Sequence, residues 1–419
     1  MTILQNPLRR LKDQEIVPEF PPDSGALLSE HSLESVSSLT DKQPPPSSTQ
    51  KNVHVTTFKA HTSSISCLTL AGKHLLSGSS DNQVRIWSPD SSPTVHNLMA
   101  YGESAVKSMI VSGDKLFTGH QDHKICVWKI DHLHDDGDGD SYGEIRNRRV
   151  MKSTYLATLP TLNDRVTKMF SAKSYVKIGN DNRRRAAVNH TDAVAALASS
   201  HDGSVIYSAS YDRTFKVWRT SDFKCLESVT NAHDDAINAV VVSHDGYVYT
   251  GSADRRIKVW RKLAGEKNHA LVDTLEKHKS AVNALALSAD GSVLYSGACD
   301  RSILVWKKGN AGESGGDGRR HMVVAGALRG HSMAVLCIEV VGDLVVSGSA
   351  DKTVRVWRGI NGKKYSRVCV LEGHNGPIKC LAAAVESCTS GDSGGTSYLV
   401  YSGSLDCDVK AWKVWVPVR

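Results

Sequence analysis

The stretch HDDAINAVVVSHDGYVYTGSADRRIKVW, residues 233–260, decides the fold. Three short runs, AINAVVV, YVYTGS and RRIKVW, are rich in β-branched residues and alternate in polarity, and the turn-forming groups HDG and SAD separate them. That is the pattern of strands joined by tight turns. Within it stand four spaced side chains: His233, Thr250, Asp254 and Trp260. An indole N–H buried between sheets needs an acceptor. A hydroxyl can accept it and donate onward to an imidazole, and a carboxylate then fixes the imidazole tautomer. Each such bond is worth about 1 kcal/mol net, but losing one member strands buried partners at about 1–3 kcal/mol.

The arrangement recurs along the chain. An Asp is followed six residues later by a Trp at Asp81/Trp87, Asp122/Trp128, Asp212/Trp218, Asp254/Trp260, Asp300/Trp306, Asp351/Trp357 and Asp406/Trp412. Four residues before each Asp stands a hydroxyl: Ser77, Thr118, Ser208, Thr250, Ser296, Ser347 and Ser402. Six units carry an upstream His: His61, His190, His233, His278, His331 and His374. The His precedes its Asp by 20 to 22 residues, except in the last unit, where the interval is 32. Successive Asp markers lie 41, 90, 42, 46, 51 and 55 residues apart, so the unit is about 42 residues and the excess is inserted loop.

This spacing resembles the WD40 family, and the resemblance implies four strands per unit and a His–Ser/Thr–Asp–Trp tetrad in each. The expected fold is all-β, a seven-bladed β-propeller over residues 53–419. Little chain follows Trp412, so VHVTTF (Val53 to Phe58) is expected to supply the last blade's fourth strand and close the ring. Residues 1–52, rich in Ser, Pro and acids with PPPSS at 44–48, are expected to form a disordered arm.

Two departures stand out. Blade two has Gly102 where the His belongs, so its tetrad is expected to be incomplete and the blade locally loose. No blade ends in Trp-Asp: the Trp is followed by Ser88, Lys129, Arg219, Arg261, Lys307, Arg358 or Lys413. An Asp-Arg pair after the Trp marks substrate receptors of cullin-type ubiquitin ligases, and its absence weakens that alternative.

Composition is ordinary for a globular chain, with 40% hydrophobic and 23% charged residues and a net charge of +7. No apolar run approaches the roughly 18 residues of a membrane helix, and residues 1–20 lack the apolar stretch of a signal peptide. Nine scattered cysteines without CxxC pairs argue against a disulfide framework or a zinc cage, so reduced thiols in the cytoplasm or nucleus are expected. Cys67, Cys337 and Cys380 match Ala196, Ala239 and Ala284 in other units and read as fillers of an Ala-sized slot.

Ser, His and Asp together invite a hydrolase reading. Six parallel copies, each with its Trp, and no GxSxG elbow favour a structural role instead, so neither enzyme activity nor a cofactor is expected. The acidic loop at 135–140 spaces Asp136, Asp138 and Asp140 like a calcium loop, but Ser141 and Asn147 replace the turn Gly and the bidentate Glu. No metal site is expected.

Residues 131–188 read as one charged insertion. Its first part, 131–144, holds six acids and no Lys or Arg; 145–185 holds eleven Lys/Arg and two Asp. The block Arg183, Arg184 and Arg185 could attract an acidic partner, RNA or a phosphoinositide, serve as a nuclear import signal, or pair internally with the acidic part. On the propeller rim, the residues just before each marker Asp are Ser80, Gln121, Tyr211, Ala253, Cys299, Ala350 and Leu405. Small neighbours around Tyr211 and Leu405 would make one shallow apolar patch, and Arg213, Arg255, Arg301 and Lys352 after the Asp would give it a basic edge.

Several stretches resemble one plant group, the JINGUBANG-type WD40 proteins: LATLPTLNDRVTKMFSAKSYV (156–176), FKCLESVTNAHDDAINAVVVSHDG (223–246), YSGACDRSILVW (295–306) and VYSGSLD (400–406). The first is taken as the specific one because it lies in the insertion, free of any ring-closing requirement. The resemblance implies a non-catalytic scaffold that regulates growth or pollen germination through a transcription factor partner.

Overall fold

The computed structural model describes residues 36–40, 53–59, 61–88, 97–131, 152–169, 175–178, 181–186, 188–263, 265–309, 321–360, 364–386 and 394–417. Seven four-stranded antiparallel sheets are arranged as blades. Blades 1 to 6 are each built from four consecutive strands. In blade 4 these are Ile237–Val242, Tyr247–Ser252, Ile257–Lys262 and His269–Leu275, ordered from the axis outward. Blade 7 takes its three inner strands from Ile378–Val385, Gly395–Ser404 and Val409–Pro417, and its outer strand is Val53–Phe58. Joining the two ends of the chain in one sheet closes the ring without leaving the third strand of blade 7 as an open edge.

The first strand of every blade touches the first strand of the next, and blade 7 returns to blade 1 in the same way. Seven inner edges crowd around one axis, and the side chains there must be small. Directly after a bulge in each first strand, a small residue faces another across the pair: Cys67 opposite Gly78, Ala239 opposite Gly251, Cys337 opposite Gly348, Cys380 opposite Gly403. A Cβ on Gly78 would lie 2.7 Å from Val106 Cγ1 of blade 2. Polar side chains latch neighbours at this level: Ser108 Oγ donates to the Val194 carbonyl at 3.0 Å, Asn238 Nδ2 to Val282 and Asn283 Nδ2 to Val335, each at 2.9 Å. Farther out, apolar clusters fill the seams, as where Leu344, Val356, Ile378 and Val414 join blades 6 and 7.

The structure corrects the reading of 131–188. Lys152–Leu159 is the outer strand of blade 2, paired with Ile125–Asp131. Its Tyr155 meets Trp128 edge-on at 5.4 Å, and its last residue, Leu159, is buried. The insertion is therefore two pieces, 132–151 within blade 2 and 160–187 between blades 2 and 3. Residues 156–159 are dictated by the ring after all, since blade 2 needs a fourth strand. In the second piece lie an unanticipated helix, Leu162–Met169, and a hairpin pairing Tyr175–Ile178 with Asp181–Ala186. Thr161 Oγ1 accepts the Asp164 N–H at 3.3 Å, and buried Asp164 accepts the Cys225 amide at 3.2 Å, tying the helix to blade 3. The cap is written in the sequence as TLND, with the hydroxyl three residues before the carboxylate.

The unstructured reading of residues 1–52 also needs amending. Four of its residues, 37–40, run beside the rim: Ser38 bridges Ala327 of blade 5, and Thr40 bridges Tyr365 of blade 6, both parallel. A short Ser/Thr/Leu segment carries too little periodicity to reveal such pairing; the partner edge supplies it.

Candidate functional site

In six blades the four repeated side chains form one relay. The Trp indole donates to the hydroxyl at 2.8–3.0 Å, the hydroxyl oxygen lies 2.8–2.9 Å from His Nε2, and His Nδ1 lies 2.8–3.0 Å from Asp Oδ2. An indole can only donate and a carboxylate only accept, so the hydrogens run in one direction and the imidazole is the Nδ1–H tautomer. With Nε2 occupied by a buried hydroxyl whose oxygen already takes the indole, the set is saturated. It stabilises the blade and has no free nucleophile.

The indoles at the head of these relays belong to the core. Trp87 is buried where blades 7 and 1 meet, its ring 4.9 Å from that of Phe58 on the closing strand, and it donates to Ser77 at 2.8 Å. Trp218 is buried between blades 2 and 3 among Phe117, Leu159 and Cys225, and donates to Ser208 at 2.8 Å. Trp260, Trp306, Trp357 and Trp412 are buried in the same way. Each ring fills space between sheets while its one polar atom stays satisfied.

Burial works against the charge of the tetrad carboxylates, but the histidine hydrogen bond and two amides outweigh it. Asp254 and Asp300 are lowered to about 2, and Asp81, Asp212, Asp351 and Asp406 are also lowered. For His190 burial wins over the pull of Asp212, and its basicity falls.

Blade 2 lacks the complete tetrad, as expected, but the gap is filled rather than left loose. His120, from the end of the blade's own second strand, turns its Nε2 to within 2.8 Å of Thr118 Oγ1 and its Nδ1 to within 2.9 Å of the Ser104 carbonyl. Trp128 Nε1 donates to Thr118 at 3.1 Å. The imidazole fits because residue 102 is Gly: a Cβ there would lie 2.7 Å from His120 Cε1. Five of the other six blades hold Ser at the equivalent place, as at Ser79 and Ser210, whose hydroxyls likewise donate to the lead-in carbonyl of their blade; blade 5 has Ala298. His120 performs both duties, and Asp122 is left to pair with Lys124 at 3.1 Å. The signal for it was a lone His two residues after the hydroxyl, in the one unit lacking an upstream His.

The tetrad Asp also builds the face. In the six His-bearing blades its Oδ2 accepts the amide just after the His, and its Oδ1 the amide two residues on, as at Asp351 with Ser332 (3.0 Å) and Thr353 (3.0 Å). Lead-in loop and turn are thereby held together. The residue after each Asp is left-handed: Asn82 (φ 66°), His123 (64°), Arg213 (67°), Arg255 (72°), Arg301 (68°), Lys352 (67°) and Cys407 (69°). An L side chain costs roughly 1–2 kcal/mol in this region, where Gly or Asn is the cheaper choice. Four successive blades nonetheless place Arg or Lys there, and all four side chains are exposed.

The rim is not one patch. Tyr211 (38% exposed) belongs to blade 3 and Leu405 (40%) to blade 7, three blades apart by the shorter way round, and Ala350 is buried. The basic edge narrows as well. The lead-in loops of blades 3 and 4 carry Asp192, Asp234 and Asp235, all exposed, and Arg256 pairs with Asp234 at 2.6 Å and Glu276 at 2.7 Å. The loops of blades 5 and 6, KSA at 279–281 and SMA at 332–334, contain no acid and add exposed Lys279 and Met333 (47% exposed). The residue types at these two loop positions vary from blade to blade, so the repeat singles out neither. Arg183, Arg184 and Arg185 stand on the second strand of the hairpin outside the blades.

Cys67 is buried and Cys337 half-buried near the axis, and desolvation pushes both thiols up to about 12; no described cysteine forms a disulfide. The calcium-like spacing at 136–147 lies outside the described residues. Among the described residues no group of three His, Cys, Asp or Glu side chains could hold a metal, and no helix is long and apolar enough to cross a membrane. A cleft of about 570 Å³ opens between the outer strands of blades 4 and 5, lined by Leu271, Val272, Glu276 and Val323, away from the face.

The family model described as WD domain, G-beta repeat matches residues 52–88, 184–219, 223–261, 270–307, 323–358 and 365–413, more than half of the chain. The chain belongs to the WD40 repeat family. The matched segments lie on six blades, and blade 2, where His120 stands in, falls outside them. Similar proteins of Arabidopsis thaliana include Autophagy-related protein 16, 29% identical over 48% of this chain and 37% of its own length. Protein ROOT INITIATION DEFECTIVE 3 is 29% identical over 40% of this chain and 39% of its own length. This WD40 chain thus spans under two fifths of those relatives. The WD40 propeller domain of Doa1 superposes with a TM-score of 0.59 at 22% identity, covering 86% of this chain and 97% of that one, a likeness of fold.

Proposed function

We propose that this propeller is a non-catalytic adaptor that grips a protein partner on the rim of blades 5 to 7. The observation that carries the reading is the grouping there of Lys279, Arg301 and Lys352, all exposed, beside exposed Met333 and Leu405. Such a surface suits an acidic segment with an apolar anchor; Tyr211 would be a separate contact on blade 3. The saturated tetrads and the buried thiols favour binding over chemistry. Likeness to the JINGUBANG-type group in residues 156–176 and 223–246 supports a regulator of plant growth or pollen germination working through a transcription factor, in cytoplasm and nucleus.

The test compares proteins co-purifying with the intact chain and with an Arg301→Glu, Lys352→Glu, Leu405→Ala variant of unchanged melting midpoint. A partner recovered by the first and lost from the second supports the reading; equal recovery overturns it. Because removing 131–188 would delete the outer strand of blade 2, the insertion is better tested by deleting 132–151. A second reading rests on Arg183, Arg184 and Arg185 lying together on a hairpin outside the blades. Under it, RNA or phosphoinositide vesicles bind in a salt-sensitive manner that charge reversal at these arginines abolishes.

A further inference from the structure

Residues 37–40 add a short parallel strand to the outer edge of blade 5. Leu39 N–H donates to the Ala327 carbonyl at 2.9 Å, Ala327 N–H donates to the Ser37 carbonyl at 3.0 Å, and Tyr365 N–H of blade 6 donates to the Leu39 carbonyl at 2.9 Å. The segment thus spans the seam between two blades and satisfies an outer-edge amide on each. Its side chains alternate as in a strand. Leu39 packs on the cluster containing Tyr295, Leu328, Trp357 and Tyr365, while Ser38 and Thr40 turn outward and hydrogen-bond to each other at 2.7 Å.

The seat for Leu39 is made by Gly326. A Cβ at that position would lie 2.8 Å from Leu39 Cδ2 and 2.8 Å from the Ser37 carbonyl oxygen. Both are closer than any real Cβ contact, and the second is backbone, which cannot give way. Equivalent outer strands carry ordinary side chains at this level, for example Asp273 in blade 4, so the notch belongs to blade 5. Backbone pairing at an exposed edge combined with one side-chain pocket is how sheet edges recognise extended peptides.

We propose that this seam is a peptide-docking groove selective for an extended segment that places a leucine over the Gly326 notch. The chain's own residues 37–40 are its resident occupant, and they hold it closed against partners bearing such a segment. Three main-chain hydrogen bonds and one leucine make a small contact. Twelve residues, 41–52, separate Thr40 from the closing strand at Val53. A tether of that length holds the occupant at an effective concentration on the order of millimolar, which a free peptide in the micromolar range cannot match. The groove lies on the outer edge, apart from the rim of blades 5 to 7, and does not depend on the function proposed for that rim.

The experiment uses the full chain and a fluorescent peptide of residues 34–43, ESVSSLTDKQ. Leu39→Asp in the full chain empties the groove; a melting midpoint within a few degrees of the native value, with an intact Trp emission spectrum, establishes that the ring is folded. Anisotropy titration should then show at least tenfold tighter peptide binding to Leu39→Asp than to the native chain. Adding Gly326→Ala to Leu39→Asp should remove that binding. Hydrogen exchange gives a second readout that tolerates some loss of stability. The Ala327 and Tyr365 amides should be protected in the native chain, exposed in Leu39→Asp, and protected again on adding peptide. Equal peptide binding by native and Leu39→Asp chains overturns the proposal, as does binding that survives Gly326→Ala. Protection of Ala327 that appears only as the native chain dimerises would assign the occupant to a second copy and overturn the closure in cis. Loss of the rim partner on Gly326→Ala would overturn the separation of the two surfaces.

Discussion

Replacing His120 should expose how blade 2 is held together. In His120→Ala the half-buried Ser104 carbonyl loses its donor and the buried Thr118 hydroxyl its acceptor, and an unmade buried bond costs about 1–3 kcal/mol. Thr118 has a partial remedy, since its hydroxyl also lies 3.4 Å from the Cys126 carbonyl, so the loss is put at about 2–4 kcal/mol. At roughly 2 °C per kcal/mol for a large domain, the melting midpoint followed by Trp fluorescence should fall by about 4–8 °C. His120→Ser should lie between, because Ser restores the bond to the lead-in carbonyl as Ser79 and Ser210 do. Gly102→His alone should be worse than native, its Cβ arriving 2.7 Å from the existing imidazole. Combining Gly102→His with His120→Ser rebuilds the arrangement of the other blades and should recover most of the loss. A double variant no more stable than Gly102→His, or a His120→Ala protein that melts like the native one, would refute this account of the blade.

Three further outcomes are expected. Deleting residues 53–58 removes the outer strand of blade 7 and should lower the melting midpoint of the whole ring, a result that an unchanged midpoint would exclude. Gly403→Ala should destabilise by about 1–3 kcal/mol in urea unfolding, because its Cβ would sit 2.6 Å from Ile65 Cγ2 across the seam between blades 7 and 1. Acid should weaken the ring in two stages. His120 and His190 are held by burial below their ordinary 6.5, so the stability they confer is complete above that pH and drains away beneath it. Asp254 and Asp300, lowered from 3.8 to about 2, add stability above 3.8 that is lost between 3.8 and 2. A urea midpoint that rises between pH 8 and pH 5 would contradict the first stage.

The sequence by itself determined the ring. The Asp-to-Trp interval of six, the hydroxyl four residues before and the upstream His are local spacings, and each encodes one blade because strand length and turn geometry fix where those side chains point. The closing role of Val53–Phe58 was legible too, since a blade short of a strand must find one. What tertiary structure alone decided are the places where a partner comes from far along the chain or from an unexpected direction. His120 fills a gap that Gly102 opens 18 residues earlier, and no periodic pattern marks that exchange. Lys152–Leu159 had to be recognised as a blade strand across a charged insertion whose composition masked it. Residues 37–40 gain their conformation only from the edge and the Gly326 notch they meet, almost three hundred residues away. The candidate face follows the same rule. Its repeated positions could be read from the spacing, but only the ring order separates Tyr211 from Leu405 and brings Lys279, Arg301, Met333 and Lys352 onto neighbouring blades, because charge and exposure on a rim depend on which loops adjoin in space.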